Sequence, residues 1–306
     1  MATKRKSSAN ARKLNERELK AAPAMRGLFA RAGISMLPGV SLLPVVGGKR
    51  RSEVSDDALV LRDVAVEADR LAAYARVCGF TLRDTLPGTY PHMLAFPLHL
   101  ALMTDPSFPF PAIGLVHIYN RITQHRSIGT GERLSLRVWA EPIEPHPRGR
   151  QVSVRTQARV GEELVWEEVS TNLRRGRDNE GAKAPEVPSA DGLPASATWK
   201  LPGDLGRRYA RVSGDFNPIH VHPLSARLFG FPGAIAHGMW TKARCLAALE
   251  PVLPGAYTVE VAFKRPIVLP ARVQFAEQAG SEAIRFGVRD AKKATPHLDG
   301  VVDLSS

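Results

Sequence analysis

Asp215 and His220 stand five residues apart in the segment Ser213-Gly214-Asp215-Phe216-Asn217-Pro218-Ile219-His220. Gly214 is free to take a positive φ and Pro218 fixes its own φ near about −65°, so the segment reads as a rigid turn rather than one face of a helix. On such a turn a carboxylate and an imidazole can converge on one water. Their proton affinities differ, which suits the movement of OH and H across a carbon–carbon bond near neutral pH. Asn217, donor and acceptor at once, is a candidate to orient that water or the pair itself. Further on, His237-Gly238-Met239 opens a helix-like stretch. A helix start offers unpaired backbone N–H groups and the positive end of its dipole, and Gly238 lets a ligand approach the main chain closely.

The elements that must position these residues occur twice. Residues 74–79 read Tyr-Ala-Arg-Val-Cys-Gly and residues 209–214 read Tyr-Ala-Arg-Val-Ser-Gly, an offset of 135; the pairs His92/His237, Pro106/Pro251 and Pro109/Pro254 share an offset of 145. The second copy thus holds about ten more residues after its Tyr-Ala-Arg-Val helix. Those residues contain the Asp215–His220 turn. Apolar spacing predicts helices at 66–78, 92–104, 205–212 and 238–249, with a short one from His222-Pro223 to Phe229-Gly230. Alternation predicts strands at 113–122, 134–138, 152–160 and from 164, then at 257–268, 271–278, 283–290 and 299–304. The reading is an α+β chain: an arm (1–54), a first domain (55–175), an Ala/Pro/Gly/Asp-rich linker (176–199) and a second domain (200–306). Each sheet covers a long central helix, and the two sheets join edge to edge, hiding one edge strand from each.

Composition excludes several classes. At 306 residues, 44% hydrophobic and 24% charged, the chain has the make-up of an ordinary globular protein with room for two cores. Its greasiest stretch, 36–46, is broken by Pro38, Gly39 and Pro44 and is too short to span a bilayer. Two cysteines, Cys78 and Cys245, make neither a disulfide scaffold nor a cysteine zinc site, and fit a reducing cytoplasm. The net charge of +12 is concentrated in residues 1–51, which carry +10 and leave +2 for the rest. Such an arm is either a solvated tail or a contact for nucleic acid, an anionic membrane surface or an acidic partner. The nearly neutral body carries the main function, so no nucleic acid is expected there. Lys4, Arg5 and Lys6 are followed by polar residues, unlike a secretory signal.

The run from Tyr209 through Ser213-Gly214-Asp215, Asn217-Pro218-Ile219-His220 and Ala226, six positions after His220, resembles the signature of the R-specific enoyl-thioester hydratases and dehydratases, the MaoC-like family of the hotdog fold. The match is specific over about residues 200–270, and the repeat extends a weaker resemblance back to about residue 55. It implies a tandem, double hotdog. It also implies a lyase that interconverts a (3R)-3-hydroxyacyl thioester and the trans-2-enoyl thioester plus water, with Asp215 and His220 as the dyad and the Gly238 N–H on the thioester oxygen. Neither metal nor redox cofactor is implied. The acyl group rides on coenzyme A or acyl carrier protein, and the chain is a candidate homodimer. A hotdog thioesterase and a non-catalytic partner subunit are the alternatives; release of free thiol marks the first and absence of turnover the second.

Each remaining residue has a plainer competing role. Asp215 taken alone is an Asx turn or helix stop. His222 is either the start of a short helix or, with Asp215, part of a metal site that lacks a third ligand. His237 is a site residue or a packed histidine, and Ser213 is a substrate contact beside the dyad. Lys264 and Arg265 are contacts for carrier phosphates or solvated surface. The first half lacks counterparts of Asp215 and His220, which implies one site per chain. Its segment 90–110 either accommodates the acyl chain, with Ala95 lining that space, or is ordinary core, as is expected of Met93 and Met103.

Overall fold

Leu134-Ser-Leu-Arg-Val-Trp-Ala140 alternates buried and half-buried positions without a break, which a strand with one face on a core must do. The computed structural model describes residues 13–34, 53–112, 114–177, 179 and 181–305. In chain order these form β1 (Asn15–Glu18), α1 (Met25–Ile34), β2 (Asp57–Val64), α2 (Ala68–Cys78), α3 (Tyr90–Met103), β3 (Val116–Gln124), β4 (Leu134–Ala140), β5 (Glu144–His146), β6 (Gly149–Val160) and β7 (Glu163–Arg175). The second half contributes β8 (Ala195–Leu201), α4 (Leu205–Ser213), α5 (Pro218–Val221), α6 (Pro223–Leu228), α7 (Gly238–Leu249), β9 (Tyr257–Phe263), β10 (Ala271–Ala279), β11 (Ala283–Asp290) and β12 (Pro296–Asp303).

One sheet runs β1-β2-β4-β6-β7-β3-β9-β12-β11-β10-β8, with β5 paired to β6. The halves meet where β3 and β9 pair antiparallel, from Tyr119 opposite Ala262 to Gln124 opposite Tyr257. Each half thereby loses one exposed edge, as the sequence reading expects of a double hotdog. Across the seam Thr123 Oγ1 and Thr258 Oγ1 lie 3.0 Å apart. The repeat-related Tyr74 and Tyr209 rings sit 6.2 Å apart, and Arg70 Nε donates to the Val212 carbonyl, so the two Tyr-Ala-Arg-Val helices pack on each other. The sheet wraps the central helices α3 and α7, both apolar over most of their surface. Each fully buried large side chain on them, such as Met93, Leu98 and Leu246, contributes about 1.5–3 kcal/mol. No helix among the described residues is long and apolar enough to cross a membrane.

Three differences from the sequence reading bear on the site. β8 overlaps the end of the expected linker, because Trp199 and Leu201 bury against the second half while their neighbours stay outside. β2 supplies an unanticipated strand of the first half. Residues 13–34 of the arm are seated on the body: β1 pairs parallel with β2, Leu28 is buried and Phe29 lines the cavity described below. The rest of the arm and the stretch 36–46 lie outside the described residues.

Candidate active site

Helix α4 ends at Gly214, whose φ of 81° breaks the helix and whose N–H donates to the Ala210 carbonyl. Ser213 Oγ donates to the Tyr209 carbonyl and accepts from the Asp215 N–H at 3.1 Å, and Asp215 Oδ1 accepts from the Asn217 N–H at 3.1 Å. Asn217 caps α5, its side chain accepting from the Ile219 N–H, and Pro218 occupies the first turn where its missing N–H costs nothing. His220 follows, fixed from two sides. Its Nδ1 lies 2.8 Å from the Ile235 carbonyl, and the Ile235 N–H donates to the Ile219 carbonyl at 3.0 Å. A carbonyl only accepts, so the His220 proton sits on Nδ1 and the Nε2 lone pair is the free one. Behind it, a Cβ on Gly206 would lie 1.9 Å from the His220 carbonyl oxygen. Glycine at 206 lets α4 run directly against the backbone of this loop.

Helix α7 meets the loop at its N-terminus. His237, its N-cap, makes no capping bond and stacks on His220 with ring centroids 3.7 Å apart. His237 Nε2 lies 3.0 Å from the Asp215 carbonyl and 3.7 Å from Asp215 Oδ2. Its buried Nδ1 has no partner among the described residues. Burial lowers the His220 pKa, with Asp215 acting against the shift; burial and then His220 push His237 well below the ordinary imidazole range. Both rings are therefore neutral near pH 7. The segment 234–236 is pinned to 267–269 by Ala236 N–H to the Ile267 carbonyl and Leu269 N–H to the Ala234 carbonyl, which sets the register of the α7 start. A Cβ on Gly238 would lie 3.0 Å from the Phe263 ring, so the helix start sits hard against β9.

Asp215, Asn217, His220, His237 and Gly238 all line one cavity of about 400 Å³. From the first half, α3 contributes His92, Met93, Phe96, His99, Leu100 and Met103 to its wall. Segment 90–110 thus does face the site, and Met93 and Met103 touch the cavity as well as the core. Ala95 does not line it. The cavity face of α3 repeats at 92, 96, 99 and 103, and Ala95 is turned about 100° from Phe96, into the hydrophobic core. Ser213 and Asn217 border the cavity; Ser213 Oγ and Asn217 Oδ1 are spent holding the loop, while Asn217 Nδ2 makes no hydrogen bond among the described residues. Lys264 and Arg265 are exposed at the cavity margin, Lys264 Nζ lying 3.4 Å from Asp299 Oδ2. His222 Nδ1 accepts from the Leu224 N–H, which makes it a helix cap. The described His/Asp/Glu sets whose donor atoms converge within 4.8 Å are Asp215–His220–His237 and His92–His99–Glu168.

Acid–base groups in a largely apolar cavity, framed by both halves of a double hotdog, suit a molecule with a reactive group and a longer apolar remainder. That is the design of the hotdog enzymes of acyl thioesters. The MaoC like domain matches residues 194–300. The chain is 36% identical over 267 residues to 3-hydroxyacyl-thioester dehydratase X of Mycobacterium tuberculosis, covering 85% of this chain and 93% of that one. It belongs to the MaoC-like dehydratase family. The crystal structure of the same relative, HtdX, superposes with a TM-score of 0.72 at 36% identity over 80% of this chain and 98% of that one. A second M. tuberculosis protein described as a double hotdog superposes at 0.51 with 16% identity, over 79% of this chain and 94% of that one, and speaks for the fold alone.

Proposed function

We propose that the chain is a hydro-lyase interconverting (3R)-3-hydroxyacyl and trans-2-enoyl thioesters. The observation that carries this reading is the meeting of the free His220 Nε2, the Asp215 carboxylate and the uncapped start of α7 in one cavity. In dehydration, His220 Nε2 takes the proton from C2 while the thioester oxygen gathers charge against the Gly238 N–H. The imidazolium then returns that proton to the hydroxyl leaving C3, and water departs while accepted by Asp215. One base serving both carbons works from one face, so the elimination is syn. Hydration runs the same steps backwards, with Asp215 and His220 holding the attacking water. Ser213, Asn217 and His237 position the dyad, and the Nδ1–H bond to Ile235 keeps His220 in the basic tautomer.

Coenzyme A and acyl carrier protein both present an anionic phosphopantetheine arm, and Lys264 and Arg265 at the cavity margin favour such a carrier. Two buried free cysteines favour a reducing compartment such as the cytoplasm. The test is an absorbance assay of the purified protein on trans-2-enoyl-CoAs with chiral analysis of the product. The expected product is the 3R alcohol with no free thiol released. A 3S product overturns the assigned geometry, and free thiol identifies a thioesterase.

A further inference from the structure

Strand β7 stands to β3 as β12 stands to β9: each pairs with the seam strand of its own half. Their inward faces differ in kind. On β12 the face is Leu298, Gly300 and Val302, an ordinary core. On β7 the same face is Glu168, Ser170 and Asn172, a polar stripe that spans about 13 Å at a strand's rise per residue. Buried polar groups cost free energy unless bonded, and apolar side chains would fill this layer more cheaply. The stripe borders the cavity through Ser170 and Asn172, opposite His92 on α3 and beside His117 on β3.

Part of this network is internally satisfied. Glu168 accepts from Asn120 Nδ2 at 2.6 Å and lies 2.8 Å from His92 Nδ1, while Lys242 Nζ donates to Asn120 Oδ1 at 2.5 Å. Burial raises the Glu168 carboxyl, but His92, His99 and Asn120 outweigh it and hold it down at about 2. The outer part is not spent. His117 Nε2 lies 3.0 Å from Ser170 Oγ and Asn172 Nδ2 donates weakly to the Ser170 carbonyl, leaving His117 Nδ1, Asn172 Oδ1 and His92 Nε2 uncommitted among the described residues. Burial pushes His117 down to about 3, so its ring is neutral, with one donor and one acceptor nitrogen, and Nδ1 takes whichever role Nε2 does not play towards Ser170. His117 is also close to the chemistry. Its ring centroid is 4.8 Å from that of Phe263, against which Gly238 packs.

Resting on the dehydratase reading, we infer that the acyl chain of the preferred substrate carries a neutral oxygen function, a hydroxyl or keto group, that bonds the His117–Ser170–Asn172 stripe beyond the thioester. A plain alkyl chain lodged there would cover these polar atoms without pairing them. A neutral oxygen pairs them.

The experiment is calorimetric binding of saturated acyl-CoAs, which lack the double bond and do not turn over, so the result stands apart from catalysis. A series of equal length carries one keto group moved along the chain, with the alkyl analogue as comparator. At one or two positions the keto compound binds about 2- to 12-fold more tightly than the alkyl one, the range of one net hydrogen bond. Asn172→Leu and the gentler Ser170→Ala reduce the keto-to-alkyl ratio towards one, with melting temperature as the folding control. Equal or tighter binding of the alkyl chain at every position overturns the inference, as does a keto preference that survives both variants. Failure to hydrate a four-carbon trans-2-enoyl-CoA would instead count against the dehydratase reading.

Discussion

Gly206→Ala is the sharpest perturbation of the site that touches neither the substrate nor the dyad side chains. The added Cβ would lie 1.9 Å from the His220 carbonyl oxygen, where real Cβ contacts do not fall under 3.0 Å, so helix and loop must separate by at least about 1.1 Å. Two stability terms oppose each other. Alanine in place of a helical glycine gains up to about 1 kcal/mol, and forcing an extra group into a packed site costs about 1–3 kcal/mol. The net loss is about 0–3 kcal/mol, a modest fall in melting temperature. Activity responds more strongly, because misplacing a reacting group by about 1 Å costs about 10²-fold. Steady-state kinetics on a trans-2-enoyl-CoA should therefore show kcat down by about 10² in a protein that still melts cooperatively. Gly203→Ala is the control from the same segment, since among the described residues its Cβ would meet only Pro270, at 3.8 Å, and should leave rate and stability near wild type. A Gly206→Ala protein with kcat within a few-fold of wild type would refute the argument that this backbone contact sets the position of His220.

Three further expectations follow from the same geometry. At Gly238, the first residue of α7, proline is conformationally acceptable because His237 already has ψ 137°, so Gly238→Pro removes the N–H while Gly238→Ala keeps it and adds the same Cβ. The proline variant should be slower than the alanine variant by about 10²–10³-fold in kcat, and equal rates would remove the N–H from the mechanism. Since His220 must be unprotonated to act and burial lowers its pKa from 6.5, the acid limb of kcat/KM should have its midpoint below 6.5. Asp215→Asn, which removes the charge that opposes this shift, should move the limb to still lower pH; a limb at or above 6.5 in the wild type would contradict the burial argument. Burial lowers Lys242 to about 7 from 10.5, so between these values the unfolded chain binds more protons and stability rises with pH. Lys242→Met should flatten that rise in denaturant titrations across the window, while leaving the Asn120 carbonyl and amide oxygens short of a donor at a cost of about 1–3 kcal/mol.

The dyad was legible because its residues lie in one short turn whose glycine and proline announce its shape. The repeat was legible for a similar reason: Tyr74-Ala-Arg-Val and Tyr209-Ala-Arg-Val are short uninterrupted runs, each within one helix, and the two helices pack on each other in the fold. His237 was harder to place. It stands seventeen residues from His220, and bonds that the sequence does not announce, Ile235 N–H to the Ile219 carbonyl, His220 to the Ile235 carbonyl and His237 to the Asp215 carbonyl, bring the two rings into a stack. β8 was hidden because few of its side chains bury, and the seated part of the arm because α1 borders a cavity whose other walls come from distant segments. Ala95 failed on register, one residue from the cavity face of α3. The stripe on β7 was missed for a different physical reason. Alternation assigns polar residues to the solvent side, and Glu168, Ser170 and Asn172 reverse that rule on the same face as the fully buried Trp166.

The central claim is that Asp215 and His220 move the protons of a water added to or taken from an acyl thioester. The most direct measurement is the hydration rate of a trans-2-enoyl-CoA by wild type, Asp215→Asn and His220→Ala, each checked for a native melting transition. The account predicts a fall of about 10²–10⁴-fold in both variants, the range of positioned general acid–base groups. A folded variant of either residue that retains activity within a few-fold of wild type would contradict it.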